Sequence, residues 1–288
     1  MKIPPFWAKE TFKGLDRKGK ELAFSSWGWS FDSINDAKTA ALARARKIFE
    51  TLTSGIKPDP YDYLERPLKE EILEKITENG EDMAIITRNR YGSTVLNCQS
   101  ACFADIDFPR PKSKGFFDAL KMMFSPRHRE ERKLEVQEAT TGRIREWSSH
   151  HKERSFRLYR TAAGLRLLFT DRLYDPVSKE VSELFEELGS DQLYRKLTLK
   201  QESFRARLSP KPWRCGCGRP TINYPWESLD TERKYRAWLE EYDAKSKGFS
   251  TCLFLGDLGA KNKDNPIISK IVAVHDSHAC RRGNSSLA

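Results

Sequence analysis

Ala84-Ile-Ile-Thr-Arg88 and Ser93-Thr-Val-Leu-Asn97 flank the polar tetrad Asn89-Arg-Tyr-Gly92. Two runs rich in β-branched residues, separated by a short segment ending in glycine, predict a β-hairpin, with Gly92 supplying the permissive backbone position of the turn. Working outward, ACFADID (101–107) predicts a third strand, stopped by Pro109. A second hairpin is predicted over 155–170: FRLYR, then Thr161-Ala-Ala-Gly164, then LRLLFT. Hairpins dictate antiparallel pairing, and predicted helices at 34–52, 116–138, 178–188 and 231–244 then cover a face. The expected class is α+β: an antiparallel or mixed sheet built from β-hairpins with helices packed on a face.

Upstream, residues 21–29 predict a strand. The following helix is capped by Ser33, with Asp36 in its first turn and Gly55 at its end. A Pro- and Tyr-rich connector (57–67) leads to a short predicted helix at 68–77. Downstream, strands are predicted at 250–255 and 267–274. No composition shift marks a linker, so 1–288 is taken as a single α+β domain, with a basic, partly helical insertion at 110–154. That insertion carries an apolar stripe (Phe117, Leu120, Met123, Phe124) before Pro126, then the highly charged run RHREERKLEVQEA.

The 288 residues are 38% hydrophobic and 32% charged, with 14 Pro and 16 Gly, which excludes wholesale disorder and a collagen-like chain. No stretch reaches the roughly 20 apolar residues of a membrane span, and MKIPPFWAKE has no apolar core of an export signal. Six cysteines are too sparse for a disulfide scaffold. These features predict reduced thiols, a cytoplasmic location and no membrane partner.

Lys plus Arg is 51 against 41 acids, a net charge of +10. Residues 195–219 hold eight of those cations and one acid, Glu202. Phe204 and Trp213 are interleaved with Arg205, Arg207, Lys211 and Arg214, a pattern that suits phosphates with stacked bases as well as a solvated surface. Asp105-Ile-Asp107 places two carboxylates on one face of a strand. Close carboxylates repel, and a divalent cation such as Mg²⁺ or Mn²⁺ relieves this; two solvated acids before a turn are the plainer reading. Cys215, Cys217, His278 and Cys280 offer zinc-type ligands, but C-x-C falls short of the usual spacing, so Zn²⁺ is not expected. Cys98 and Cys252 read as small buried hydrophobes, and Trp27, Trp29, Trp238 and Tyr242 as core. No phosphate-binding P-loop and no nucleophilic-serine elbow occurs.

The succession of a hairpin, a strand ending in Asp105-Ile-Asp107, an insertion, and Arg160-Thr-Ala-Ala-Gly-Leu-Arg166 resembles the catalytic core of the archaeo-eukaryotic primase (primase-polymerase) superfamily. The resemblance covers mainly residues 84–171. It implies an RRM-like core, Asp105 and Asp107 as metal ligands, and Asp276 as the third acid on a later strand. It also implies nucleic acid and nucleoside triphosphate as partners. Gly164-Leu-Arg166 falls where that family has Gly-x-His, so Arg166 stands in the place of a phosphate-binding histidine. The chain, particularly NRYGSTVLN and FRARLSPKPWRCG, also resembles a family of bacterial proteins that brings no activity with it. Three functions follow as expectations. One is a metal-dependent nucleotidyltransferase, with Asp105, Asp107 and Asp276 catalytic and Arg160, Arg166, Arg205, Arg207, Lys211 and Arg214 on DNA or RNA and nucleotide. The second is an inactive nucleic-acid or nucleotide-binding module of the same fold. The third is an interaction domain whose cations are only surface.

Overall fold

A computed structural model describes residues 1–54, 67–260, 265–280 and 285–288. The predicted cap at Gly55 and most of the 57–67 connector lie outside these residues.

The amino-terminal unit is a long antiparallel ribbon, β1 (Phe6–Leu15) against β2 (Glu21–Ser30), packed on α1 (Ile34–Ser54). Ser33 caps α1, its hydroxyl accepting from the Asp36 amide at 3.1 Å, and Ala37, Ala41 and Ala45 form the buried stripe. β1 starts directly after Pro4-Pro5 and is not among the predicted elements.

Two four-stranded antiparallel sheets follow. The first has the order β3-β4-β5-β9: β3 (Glu71–Glu78), β4 (Glu81–Arg88), β5 (Thr94–Cys98) and β9 (Phe204–Arg207). The β4–β5 hairpin is the one predicted. Gly92 has φ +86°, and a Cβ there would meet Trp238 Cη2 at 2.2 Å, so both backbone and packing require glycine. Residues 68–77, predicted helical, instead contain β3. Its pairing with β4 shifts register twice, which erases the alternation that would have announced a strand.

The second sheet has the order β11-β7-β8-β6: β6 (Phe103–Asp107), β7 (Phe156–Thr161), β8 (Gly164–Phe169) and β11 (Cys252–Leu258). Here Asp107 pairs with Gly164, where a Cβ would come within 2.1 Å of the Ile106 carbonyl oxygen. A short parallel pair, β10 (Phe249–Ser250) with β12 (Ser286–Leu287), closes the far end.

One apolar core draws on both sheets: Ile86, Leu96 and Phe204 from the first, Phe103, Leu167 and Phe169 from the second. Helices α4 (Lys179–Glu187) and α5 (Gln192–Gln201) contribute to it through Phe185, whose ring contacts Tyr194 and Phe204. The predicted 116–138 helix is two helices. Ser125-Pro126 breaks it into α2 (Phe116–Phe124) and α3 (Pro126–His150), Ser125 capping the second at 3.2 Å from the His128 amide. The carboxyl half of α3 belongs to the core through Ile144 and through Trp147 against Phe156 and Phe169.

The predicted strand at 267–274 is helical. Helix α7 (Pro266–Ala279) starts from Asn265, whose side chain accepts from the amides of Ile267 and Ile268, with Pro266 at the first helical position. Ile268, Ile271, His275 and Ala279 make its buried stripe. Helix α6 (Leu229–Ser246) builds a satellite cluster with Cys215 and Cys217, in which Trp238 and Tyr242 stack at 5.4 Å.

Candidate functional site

Pairing fixes which side chains share a face of the second sheet. Directly opposed residues lie on one side, so Asp105, Arg166 and Tyr159 form a row. Asp105 and Asp107 project together, as their spacing requires.

Arg166 is 2% exposed, and its guanidinium is fully engaged. It grips Asp105 bidentately, Nε to Oδ1 at 2.8 Å and Nη2 to Oδ2 at 3.0 Å. Its Nη1 donates to the Arg207 carbonyl of the other sheet at 2.9 Å and faces His275 Nε2 at 3.5 Å. Burial opposes the arginine's charge, but the Asp105 carboxylate outweighs it and holds the guanidinium above its ordinary pKa. The backbone of Asp105 is fixed as well: its carbonyl accepts from Ser190 Oγ at 2.8 Å and the Asp191 amide at 3.1 Å.

Asp107 stands at the exposed end of β6. Burial of part of its carboxyl, then the charges of Asp191 and Asp105, push its pKa up against the pull of Lys211 and Arg214. Opposite lies the segment carrying Lys211 and Arg214, clamped from several sides. Ser93 Oγ donates to the Pro210 carbonyl at 2.8 Å, and Tyr242 hydroxyl to the same oxygen at 2.6 Å. A single 3₁₀ turn, Pro212–Arg214, then aims Lys211 and Arg214 back at the aspartates. Together with Arg207, Thr161 and Thr251 they line a cavity of about 70 Å³ that reaches Asp105 and Asp107.

The charge balance of this cleft favours anions. Arg166 cancels Asp105. Of the charged side chains that line the cleft, Arg207, Lys211 and Arg214 remain against Asp107, with Asp191 just behind, and among the described residues none of the three cations makes a side-chain hydrogen bond or ion pair. Burial and the neighbouring Arg166 lower the pKa of Arg207; burial, Arg207 and Arg214 lower that of Lys211. Partly desolvated cations without counter-charges are what an anionic ligand relieves.

Next to Lys211 stands an aromatic platform. Trp213 is 42% exposed and meets Tyr91 edge-on at 5.5 Å. The Arg219 guanidinium lies 4.6 Å from the Trp213 ring centre, and Lys211 Nζ 5.6 Å.

The other sequence candidates lie elsewhere. Arg160 pairs with Leu165, so alternation puts it on the opposite face of the sheet from Arg166. Arg205 Nη2 donates to both oxygens of the buried Glu70 carboxylate at 2.8 and 2.9 Å, in a structural ion pair that also takes the Thr87 hydroxyl. Asp276 sits on a helix, not a strand. It accepts from Tyr159 hydroxyl at 2.8 Å and His275 Nδ1 at 3.0 Å and pairs with Arg157 at 3.1 Å. Burial would raise its pKa, but these hydrogen bonds, first that from His275, bring it down. His275 is fully buried with its pKa lowered by desolvation; the neutral ring donates from Nδ1 to Asp276 and presents Nε2 to Arg166. Asp276 thus reaches Asp105 only through His275 and Arg166.

Among the described residues, the one convergence of three or more metal-type ligands is His275, Asp276 and Cys280, not the Cys215–Cys217 pair. Cys98 and Cys252 are buried, as expected. A groove of about 850 Å³ is lined by Glu78, Glu81, Asp82, Asp175 and Glu202 without a Lys or Arg, the wrong sign for a polyanion.

No protein-family model, no curated protein and no solved structure matches this chain.

Proposed function

We propose that this protein is a nucleic-acid-binding module without nucleotidyltransferase activity, built on a primase-like core. Arg207, Lys211 and Arg214 receive a backbone phosphate, and Trp213 with Tyr91 offers a surface on which unpaired bases stack. The observation that carries this reading is the capture of Asp105 by Arg166. A two-carboxylate metal site needs both acids open to the cation. Here one acid has both oxygens bound by a buried arginine, and the cationic side chains lining the cleft outnumber the carboxylate side chains lining it by two. That arrangement suits a phosphodiester and repels Mg²⁺ or Mn²⁺. Zn²⁺ has no role in it.

The test is fluorescence anisotropy with a labelled 20-nucleotide single strand and the same sequence as duplex, across a salt series. Tight, salt-sensitive binding is expected, with the single strand preferred. Removing one phosphate-binding cation, by Lys211→Ala or by Arg214→Ala, lowers the slope of log K against log salt by about 0.7. Trp213→Ala weakens single-strand binding by about 1–3 kcal/mol, the range for one stacked base. Absence of binding at low salt overturns the reading. So does divalent-dependent nucleotide incorporation that Asp105→Ala abolishes, which would establish the transferase instead.

A further inference from the structure

Helix α2 is turned inside out. At about 100° per residue, Phe116, Phe117, Leu120, Met123 and Phe124 fall within about 120° of arc. In a helix covering a core this arc would face inward. Here no residue of α2 is buried; the three phenylalanines are 78%, 78% and 72% exposed and Met123 71%. What α2 turns toward α3 is its polar side. Asp118 bonds His128 Nε2 at 2.7 Å and accepts from the Lys114 amide at 2.8 Å, while Arg132 holds the Lys112 carbonyl at 2.8 Å. The helix is anchored by hydrogen bonds and presents its apolar side outward.

The segments flanking this apolar arc are cationic. Arg110, Lys112, Lys121 and Arg129 are exposed, and among the described residues none has a carboxylate partner. Between residues 109 and 129 there are six Lys and Arg and one acid, Asp118. An exposed apolar arc flanked by exposed cations complements a surface with an apolar interior beneath anionic groups. No helix of the described residues is long and apolar enough to cross a membrane, and at nine residues α2 can only lie on one.

We propose that α2 seats the protein on an anionic lipid bilayer, its phenylalanines entering the acyl boundary and its flanking lysines and arginines meeting the phosphate-bearing headgroups. This stands on α2 and its flanks alone and is independent of the Arg207–Lys211–Arg214 cleft.

The experiment is flotation of the full chain with vesicles of phosphatidylcholine, and of phosphatidylcholine with about a third phosphatidylserine. Two or three cations near such a surface are together worth roughly 10²-fold, so binding to the anionic vesicles is expected to exceed that to the neutral ones by about that factor at low salt. Phe116→Ser with Phe124→Ser should cut it at least about 10-fold, as loss of a seated phenyl ring does. Because neither ring touches the core, that variant is expected to keep the wild-type circular dichroism and its oligonucleotide binding. Lys112→Glu with Lys121→Glu should abolish the preference for anionic vesicles. Equal flotation of wild type and the double phenylalanine variant overturns the proposal. So does wild type that ignores both vesicles, whether it stays monomeric or buries the same rings in a dimer.

Discussion

Arg166 and Asp105 form one ion pair whose two halves sit in unequal surroundings, and this makes an asymmetric prediction. The Arg166 side chain is 3% exposed and that of Asp105 28%. Breaking a buried pair by removing one partner costs about 3–5 kcal/mol, because the survivor keeps an uncompensated charge. Asp105→Asn leaves the sealed arginine, so it belongs at the upper end, about 4–5 kcal/mol. Arg166→Met leaves a carboxylate that already reaches water. That loss of compensation is smaller, but the hydrogen bond to the Arg207 carbonyl goes too, adding about 1 kcal/mol, for a total near 3 kcal/mol. Arg166→Met with Asp105→Asn removes both charges and is expected to be less destabilised than Asp105→Asn alone, which requires a coupling larger than the roughly 3 kcal/mol cost of Arg166→Met. Urea unfolding followed by tryptophan fluorescence reads these as midpoint shifts at constant slope. Arg166→Met proving costlier than Asp105→Asn, or a coupling below about 0.5 kcal/mol, would refute the idea that this pair is a sealed, mutually neutralising unit.

Gly164→Ala drives a methyl group into the Ile106 carbonyl and is expected to destabilise the second sheet by more than about 2 kcal/mol, seen as a lowered urea midpoint. Asp107 has a carboxyl whose pKa is raised in the fold, so its ionised form is disfavoured there and the associated stability is lost as pH rises through the folded-state pKa. Asp107→Asn is therefore expected to stabilise the protein at neutral pH and not in acid, where the wild-type carboxyl is also neutral. Under the proposed function, wild-type oligonucleotide binding is expected to tighten as pH falls through the folded-state pKa of Asp107, and anisotropy at matched ionic strength should find that trend flattened in Asp107→Asn. All six cysteines are free, but the Cys252 thiol is pushed up to about 11 and that of Cys280 to about 12 by burial. A thiol-reactive disulfide reagent at mildly alkaline pH should modify at most Cys280 promptly in the native protein and all six after denaturation.

Both hairpins were readable because each combines strand-type residues with a turn that glycine terminates. The failures have separate physical causes. The Ile and Val content of 267–274 suggested a strand, yet Asn265-Pro266 is a helix start, and the spacing 268, 271, 275, 279 is a helical stripe. That signal was present in the sequence and outweighed by side-chain type. Helix α5 and strand β9 were hidden inside the basic window. There Phe204-Arg-Ala-Arg207 alternates buried with half-buried, but its charge drew the reading toward surface. The site was legible only in part. Two-residue spacing sufficed to put Asp105 beside Asp107, and the charge cluster to single out Arg207, Lys211 and Arg214. Which arginine would be spent on which acid was not legible. Arg205 meets Glu70 from 135 positions away, and Arg166 meets Asp105 only because strand register sets them opposite. The apolar stripe of α2 was visible; that it faces outward follows from Asp118 docking on α3, an interaction no periodicity predicts.

The bond from Arg166 to the Arg207 carbonyl has a mechanical corollary. It joins a side chain rooted in one sheet to the main chain of the other, and a main-chain oxygen has no rotamer by which to step aside. The two sheets are riveted at the floor of the cleft. Hinge-like gaping between the sheets must break that bond, so a ligand that fits the gap as found is favoured over one that needs it wider.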